Sequence, residues 1–116
     1  MQIIIKASQI ELTDALSQYV EDRIKPLEKY IGRFEEAGEA IARVELARTT
    51  QHHRHGDVFN AEINLDMNGE ILRAARDGED MYATIDEVKD ILKSEIQKFK
   101  ELHVEKRISD AQRGEE

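Results

Sequence analysis

The sequence predicts an α+β fold: a two-layer β-α-β-β-β-α sandwich, with a four-stranded sheet and both helices packed on one face. Residues 58–67 alternate between apolar and polar side chains, which is the period of a half-buried strand. Asn68-Gly69 follows directly and is a strong signal for a two-residue hairpin turn. Two other stretches carry apolar residues every three or four positions, as amphipathic helices do. Because both apolar stripes need the same buried sheet face, a two-layer sandwich follows.

The elements follow one another without long linkers. We predict strands over 2–6, 40–49, 58–67 and 71–76, the last three forming an antiparallel meander. The first helix begins after Thr13, a favourable N-cap, and Pro26 inside its pattern predicts a kink, or a break in which Pro26 opens a second short helix. Asp80 caps a last helix over 81–108. We expect one domain over 1–108 and a short polar tail over 109–116.

Composition restricts the kind of protein. The chain has 116 residues and no Cys, which excludes disulfides, thiolate metal sites and cysteine nucleophiles. No run of 18 apolar residues occurs and the first residues lack a signal-peptide layout, so we expect a cytoplasmic protein without a membrane partner. We also expect no cofactor, no small-molecule substrate and a monomer in the free state.

The charge is acidic in total but unevenly distributed. The net charge is −8, from 25 acids and 17 bases, which by itself argues against binding to nucleic acid. Residues 57–88 hold nine acids and two bases, whereas residues 89–107 hold six bases and four acids. A positive local field is therefore compatible with the acidic total.

Basic residues recur at helical spacing on both predicted helices. In the last helix the bases fall within about 40° of one another on a helical wheel, and Tyr82 joins them; these bases are Lys89, Lys93, Lys100 and Arg107. In the first helix Lys25, Lys29 and Arg33 repeat at every fourth position. The two rows would frame a groove that matches a phosphate backbone. Alternatively, the lysines only solvate exposed helix faces and pair with acids such as Asp90.

A second cluster is His52-His53-Arg54-His55. It is compatible with a solvated hairpin loop, a nucleic-acid contact or a metal site, although no Cys or carboxylate nearby completes a known zinc spacing. An enzyme is not indicated, because there is no recognisable nucleophile, phosphate-binding glycine loop or metal motif. The paired acids around Asp86 lie at helix starts, where acids are expected for electrostatic reasons.

Several segments resemble, in order, the ribosome hibernation-promoting factor / ribosome-associated inhibitor family, also described as sigma-54 modulation proteins. The segments are Glu11-Leu12-Thr13 with Leu16, Leu27-Glu28-Lys29-Tyr30, His52-His53-Arg54 with Gly56-Asp57-Val58-Phe59, Ala61-Glu62-Ile63-Asn64-Leu65, and Glu79-Asp80-Met81-Tyr82-Ala83 with Ile85-Asp86. The resemblance covers residues 1–104, and the segment opening the last helix is its most specific part.

The resemblance implies a fold similar to double-stranded RNA-binding domains. It also implies binding to the small ribosomal subunit in the channel for mRNA and the A- and P-site tRNAs, which blocks translation and protects idle ribosomes under stress without catalysis. Long members add a C-terminal domain that pairs ribosomes, so the chain length indicates a short form.

The expected rRNA-binding residues combine the basic rows with the family positions. They are Arg23, Lys25, Lys29, Arg33, His52, His53, Arg54, Tyr82, Lys89, Lys93, Lys98 and Lys100. No catalytic or metal-ligating residue is expected. The chain departs from the family where Ile91 and Ser94 replace bases of the last helix, so that only Lys98 keeps a family base there. Pro26 stands where the family often has Lys, with Lys25 beside it.

A protein–protein module is the alternative function. The polar side of the third strand carries Glu62 and Asp66 with Asn60 and Asn64, and this acidic sheet face would recruit a basic partner protein. In that case the lysine rows would serve only for solvation.

Overall fold

A computed structural model describes residues 1–36, 38–49 and 58–114, with side chains as far as His103. The elements in chain order are β1 (Gln2–Ser8), α1 (Asp14–Ile24), two short 3-10 helices (Lys25–Tyr30 and Gly32–Glu35), β2 (Ile41–Arg48), β3 (Phe59–Met67), β4 (Glu70–Gly78) and α2 (Met81–Gly114). The predicted α+β class and the order of strands and helices are confirmed.

The four strands form one mixed sheet in the order β1-β2-β3-β4. β1 runs parallel to β2, with Ile3 opposite Ala42, and β2, β3 and β4 form the predicted antiparallel meander. Asn68 and Gly69 both have positive φ angles, 55° and 97°, which is the backbone of a type I′ turn. The Gly69 N–H donates to the Asp66 carboxylate at 3.0 Å and fixes this turn further.

α1 begins and ends where local chemistry requires. The Thr13 hydroxyl accepts a hydrogen bond from the Leu16 N–H at 3.1 Å, as an N-cap does. The α-helix stops at Ile24, and Pro26 occupies the first turn of the 3-10 helix that follows. Since proline lacks an N–H and crowds the preceding turn, it is tolerated at a helix start but not inside one. Of the two predicted outcomes, a kink or a break, the structure shows the break, with Pro26 in the first turn of a second short helix.

α2 is capped as predicted but is longer than predicted. The Asp80 carboxylate accepts from the Tyr82 N–H at 3.2 Å, and the Asp80 carbonyl accepts from the Thr84 hydroxyl at 2.7 Å. The helix continues to Gly114, so the end predicted at residue 108 is wrong and residues 109–114 of the predicted tail are helical. The physical reason is that no Gly or Pro interrupts the chain between 81 and 113.

The core lies between the sheet and the two helices. α1 and the first 3-10 helix contribute one buried row, and α2 contributes a second from Met81 to Ile96. Alternate residues of β2, β3 and β4 are buried beneath them, such as Val44, Ile63 and Ala74. Because both helices cover one sheet face, their flanks lie side by side above the core, and the opposite sheet face is open to solvent.

We expect Gly78→Ala to destabilise the fold, because a Cβ at this position would overlap the buried Thr84 hydroxyl. Thr84 can move only by giving up its hydrogen bond to Asp80, so the loss should be about 1–3 kcal/mol in the free energy of unfolding. Urea denaturation measures it. Gly32→Ala is the matched control, since a Cβ there meets nothing within 4 Å; an equal loss in both variants would contradict the overlap argument.

Candidate nucleic-acid interface

A cleft of about 220 Å³ lies between α2 and the continuous stretch formed by the end of α1 and the first 3-10 helix. Half of its lining residues are basic; the lining comprises Asp22, Arg23, Pro26, Leu27, Lys29, Tyr30, Lys89 and Lys93. Pro26 matters for this geometry, because the tighter 3-10 turn after it directs Lys29 and Tyr30 towards α2. The sequence therefore builds a basic groove where the two helical segments meet.

Three lysines converge on one aromatic ring in this groove. The ammonium nitrogens of Lys29, Lys93 and Lys100 lie 5.1, 5.5 and 5.8 Å from the ring centroid of Tyr30. Within the described part of the chain, none of the three makes an ion pair with a carboxylate. Each gains some cation–π attraction, but the three like charges repel one another. The arrangement is that of a site prepared for an anion.

The pKa of the Tyr30 phenol reflects the positive electrostatic potential of these lysines. Burial raises the pKa of the phenol, but a hydrogen bond from Lys93 and the nearby charges of Lys29 and Lys93 outweigh burial and place the pKa below its ordinary value of 10.0. The direction is physically reasonable, because ammonium groups stabilise a phenolate. The groove is therefore electropositive even on a protein whose total charge is negative.

The other end of the groove is held by a charged network between α1 and α2. Asp86 accepts from the Tyr19 hydroxyl with both oxygens at 2.9 Å and from Arg23 Nε at 3.0 Å. The hydrogen bond to Asp86 raises the pKa of Arg23, and burial followed by the same carboxylate raises the pKa of Tyr19. The Arg23 guanidinium also lies over the Tyr19 ring at 4.3 Å. These contacts fix the distance between the two helices.

Tyr82 extends this network towards solvent. Its ring packs edge-on against Tyr19, with centroids 4.7 Å apart and planes at 87°. It is nevertheless 41% exposed, which is high for a large aromatic side chain. Through Tyr19 the ring is linked to Arg23, which lines the basic groove, while Tyr82 itself lines a neighbouring cleft; its contact with RNA stays a prediction.

The remaining predicted bases on described elements do not join the lysine cluster around Tyr30. Lys89 lines the groove but is also 2.9 Å from Asp90. Lys98 is paired with Glu95 at 3.3 Å, and Arg33 packs over the Phe34 ring at 5.1 Å. Lys25 is exposed and lies outside the cleft lining. Their contacts with RNA stay predictions.

The row predicted along the first helix does not form. Lys25, Lys29 and Arg33 would align at every fourth position only in a continuous α-helix, whereas they lie on two 3-10 helices separated at Ile31. A 3-10 helix has three residues per turn, so a step of four rotates the side chain by about 120°. Lys29 alone of the three therefore faces the cleft. His52, His53 and Arg54 lie outside the described residues.

The open sheet face is mixed in charge rather than acidic. Arg43 and Arg73 flank Asn64 on the two neighbouring strands, and Arg43 is 3.6 Å from Asp66. On the four strands this face carries three bases and four acids, namely Lys6, Arg43 and Arg73 with Glu45, Glu62, Asp66 and Asp77. The acidic docking surface of the alternative hypothesis is therefore largely neutralised by its neighbours.

Sequence reasoning missed the two residues that organise the groove. Tyr30 is its aromatic centre, although it was not among the expected rRNA-binding residues. Asp86 joins the helices, although it looked like an ordinary acid near a helix start. The available signal was the run Lys29-Tyr30 directly after the Pro26 break, which places a base and an aromatic on the same tight turn.

Two further features of the described residues concern the kind of site. No group of three or more His, Cys, Asp or Glu side chains among them is placed to hold a metal ion. None of the helices in the described ranges combines the length and apolar character needed to cross a membrane.

The fold and groove together define an α+β sandwich with a basic groove between its helical segments. Residues 3–109 match the family described as Sigma 54 modulation protein / S30EA ribosomal protein. The chain belongs to this family, and the resemblance noted in its segments is confirmed.

Relatives and a solved structure agree with this assignment. The chain is 33% identical to the ribosome hibernation promoting factor of Azotobacter vinelandii, over 91% of this chain and 89% of that protein. It is 35% identical to the ribosome hibernation promotion factor of Lactococcus lactis over 83% of this chain, but spans only 48% of that protein. The chain likewise spans 51% of the length of the ribosome hibernation promotion factor of Deinococcus radiodurans. Thus the chain spans about half the length of these two relatives.

The fold itself has a known counterpart. The N-terminal domain of Thermus thermophilus Protein Y superposes with a TM-score of 0.66 at 31% identity, over 85% of this chain and 99% of that domain. The sandwich described above is therefore the architecture of this family.

We expect Tyr30 to ionise at lower pH than Tyr19, because the pKa of Tyr30 is lowered and that of Tyr19 is raised. Its folded pKa is depressed, so ionisation adds stability at pH above the ordinary value of 10.0, and this contribution is lost as the pH falls through the folded pKa. Ultraviolet titration of the phenolate measures the order. Tyr30→Phe should remove the transition that precedes that of Tyr19, and Lys93→Met should move this transition to higher pH; an unchanged curve for Lys93→Met would contradict the assigned cause.

We expect Asp86→Asn to weaken the packing of α1 on α2. An amide cannot neutralise Arg23, and the pKa of Tyr19 should fall because its carboxylate acceptor is gone. Thermal denaturation and the tyrosine titration measure both effects. Asp90→Asn is the matched control on the same helix, since the Asp90 side chain is 70% exposed; equal shifts in both variants would argue against the network.

Proposed function

We propose that the protein binds the small ribosomal subunit in the channel for mRNA and the A- and P-site tRNAs, and there blocks translation and stabilises idle ribosomes under stress. Family membership supports this proposal, as do the names of the relatives, which are ribosome hibernation factors. The chemistry is occlusion rather than catalysis, so no cofactor is required. The protein acts in the cytoplasm and is monomeric when free.

The observation that carries the proposal is the unpaired lysine cluster around Tyr30. Three ammonium groups lie within 5.8 Å of one ring centroid, and their mutual repulsion destabilises the unbound arrangement. A phosphate placed among them would offset this repulsion. RNA supplies a row of such phosphates, and each neutralised phosphate releases condensed counterions. The groove therefore favours a polyanion over an isolated acidic side chain.

Arg23 would add a directed contact at the other end of the groove. Asp86 holds the guanidinium through Nε, which leaves the terminal N–H groups available. A guanidinium fixed in this way loses little side-chain entropy on binding phosphate. The Asp86 network thus acts as a positioning device, while the lysines supply most of the charge.

Co-sedimentation with purified small subunits at increasing salt tests the proposal. The variant Lys29→Gln, Lys93→Gln, Lys100→Gln should bind at least about tenfold more weakly, and its salt dependence should be shallower by roughly two units in the log–log slope, because about three phosphate contacts are lost. Glutamine removes the charge but keeps most of the aliphatic stem and can still donate hydrogen bonds, so the fold should survive, as circular dichroism would verify.

The matched control removes the same charge from the open sheet face. Lys6→Gln, Arg43→Gln, Arg73→Gln lowers the net charge equally but leaves the groove unchanged. We expect it to bind like the unmodified protein. Equal losses in both variants would show that only total charge matters, and a loss confined to the sheet variant would move the interface to that face.

A further inference from the structure

The geometry points to a nucleobase site at the start of α2, where an unpaired base of the bound RNA stacks on Tyr82. This inference rests on the proposed function and specifies what the RNA must offer: an unstacked base next to the phosphates that occupy the groove. Aromatic side chains are the usual partners of such bases in RNA recognition.

Tyr82 is presented to solvent by a rigid support. Tyr19 backs it edge-on at 4.7 Å and is itself fixed by Asp86, at 2.9 Å, and by the overlying Arg23 guanidinium. The Tyr82 backbone is held by the Asp80 cap. An aromatic side chain that is 41% exposed yet held from two sides loses little entropy when a base stacks on it.

The ring also lines a cleft whose chemistry suits a base and not a phosphate. This cleft of about 330 Å³ is lined by the apolar residues Leu16, Phe59 and Met81 and by the acidic residues Glu11, Glu79 and Asp80. Carboxylates repel phosphate but accept hydrogen bonds from the N–H groups of bases. The cleft and the lysine cluster therefore select different parts of one nucleotide chain.

The two sites are continuous along α2. Tyr82 lies within about 20° of Lys89, Lys93 and Lys100 around the helix axis, at 100° per residue. Lys89 is seven residues further along, about 10 Å at 1.5 Å per residue. One RNA segment that follows this flank can place its phosphates on the lysines and turn a base towards Tyr82.

The test compares a short oligoadenylate with an abasic oligomer that has the same number of phosphates, at low salt. The unmodified protein should bind oligoadenylate about tenfold more tightly, because one stacked base is gained. Tyr82→Leu should abolish this preference without changing the affinity for the abasic oligomer. Tyr82→Phe, which keeps the ring, should retain it.

The outcomes separate this inference from the function on which it rests. Equal affinity of the unmodified protein for the two oligomers, or a preference that survives Tyr82→Leu, would overturn the base site, while salt-sensitive binding to small subunits would leave the proposed function standing. Failure of the unmodified protein to bind subunits as well as both oligomers would overturn both.

Discussion

The constraint on which the structure depends is that two apolar helical stripes must be buried on one sheet face. Each fully buried Ile or Leu of these stripes contributes about 1.5–3 kcal/mol. The buried row of α2 alone runs from Met81 to Ile96. Repulsion between two exposed ammonium groups is only about 1 kcal/mol at close range in water. Hydrophobic packing therefore decides where the helices lie, and it brings the lysines on their flanks together despite the electrostatic repulsion between them.

Pro26 determines which side chains take part in this convergence. Had α1 continued, Lys25, Lys29 and Arg33 would have formed one row facing a single direction. The 3-10 turns that follow Pro26 separate them, so that Lys29 and Tyr30 face α2 while Lys25 and Arg33 do not. Because of this single proline, the first-helix bases do not form one row, and Lys29 instead joins the lysines of α2 around the Tyr30 ring.

The sequence predicts the elements better than it predicts the site. Local signals such as the Thr13 cap, the Asn68-Gly69 turn and the strand alternation of 58–67 act within a few residues, so they can be read without the fold. The groove depends on contacts between distant segments. Asp86 meets Tyr19 across 67 positions of sequence, and no periodicity within either helix signals that pairing.

A chain with net charge −8 can still present a cationic groove, because Lys29, Lys93 and Lys100 gather around one ring and make no ion pair with a carboxylate within the described residues. The protein measures 62 × 27 × 19 Å, and the open sheet face lies across its thickness from the groove. At 0.1 M ionic strength the Debye length is about 10 Å, so charges on that face are largely screened at the groove. The sheet face is also nearly balanced within itself, with Arg43 and Arg73 beside the acids of β3. The field close to Tyr30 is therefore set mainly by Lys29, Lys93 and Lys100 and not by the sheet face.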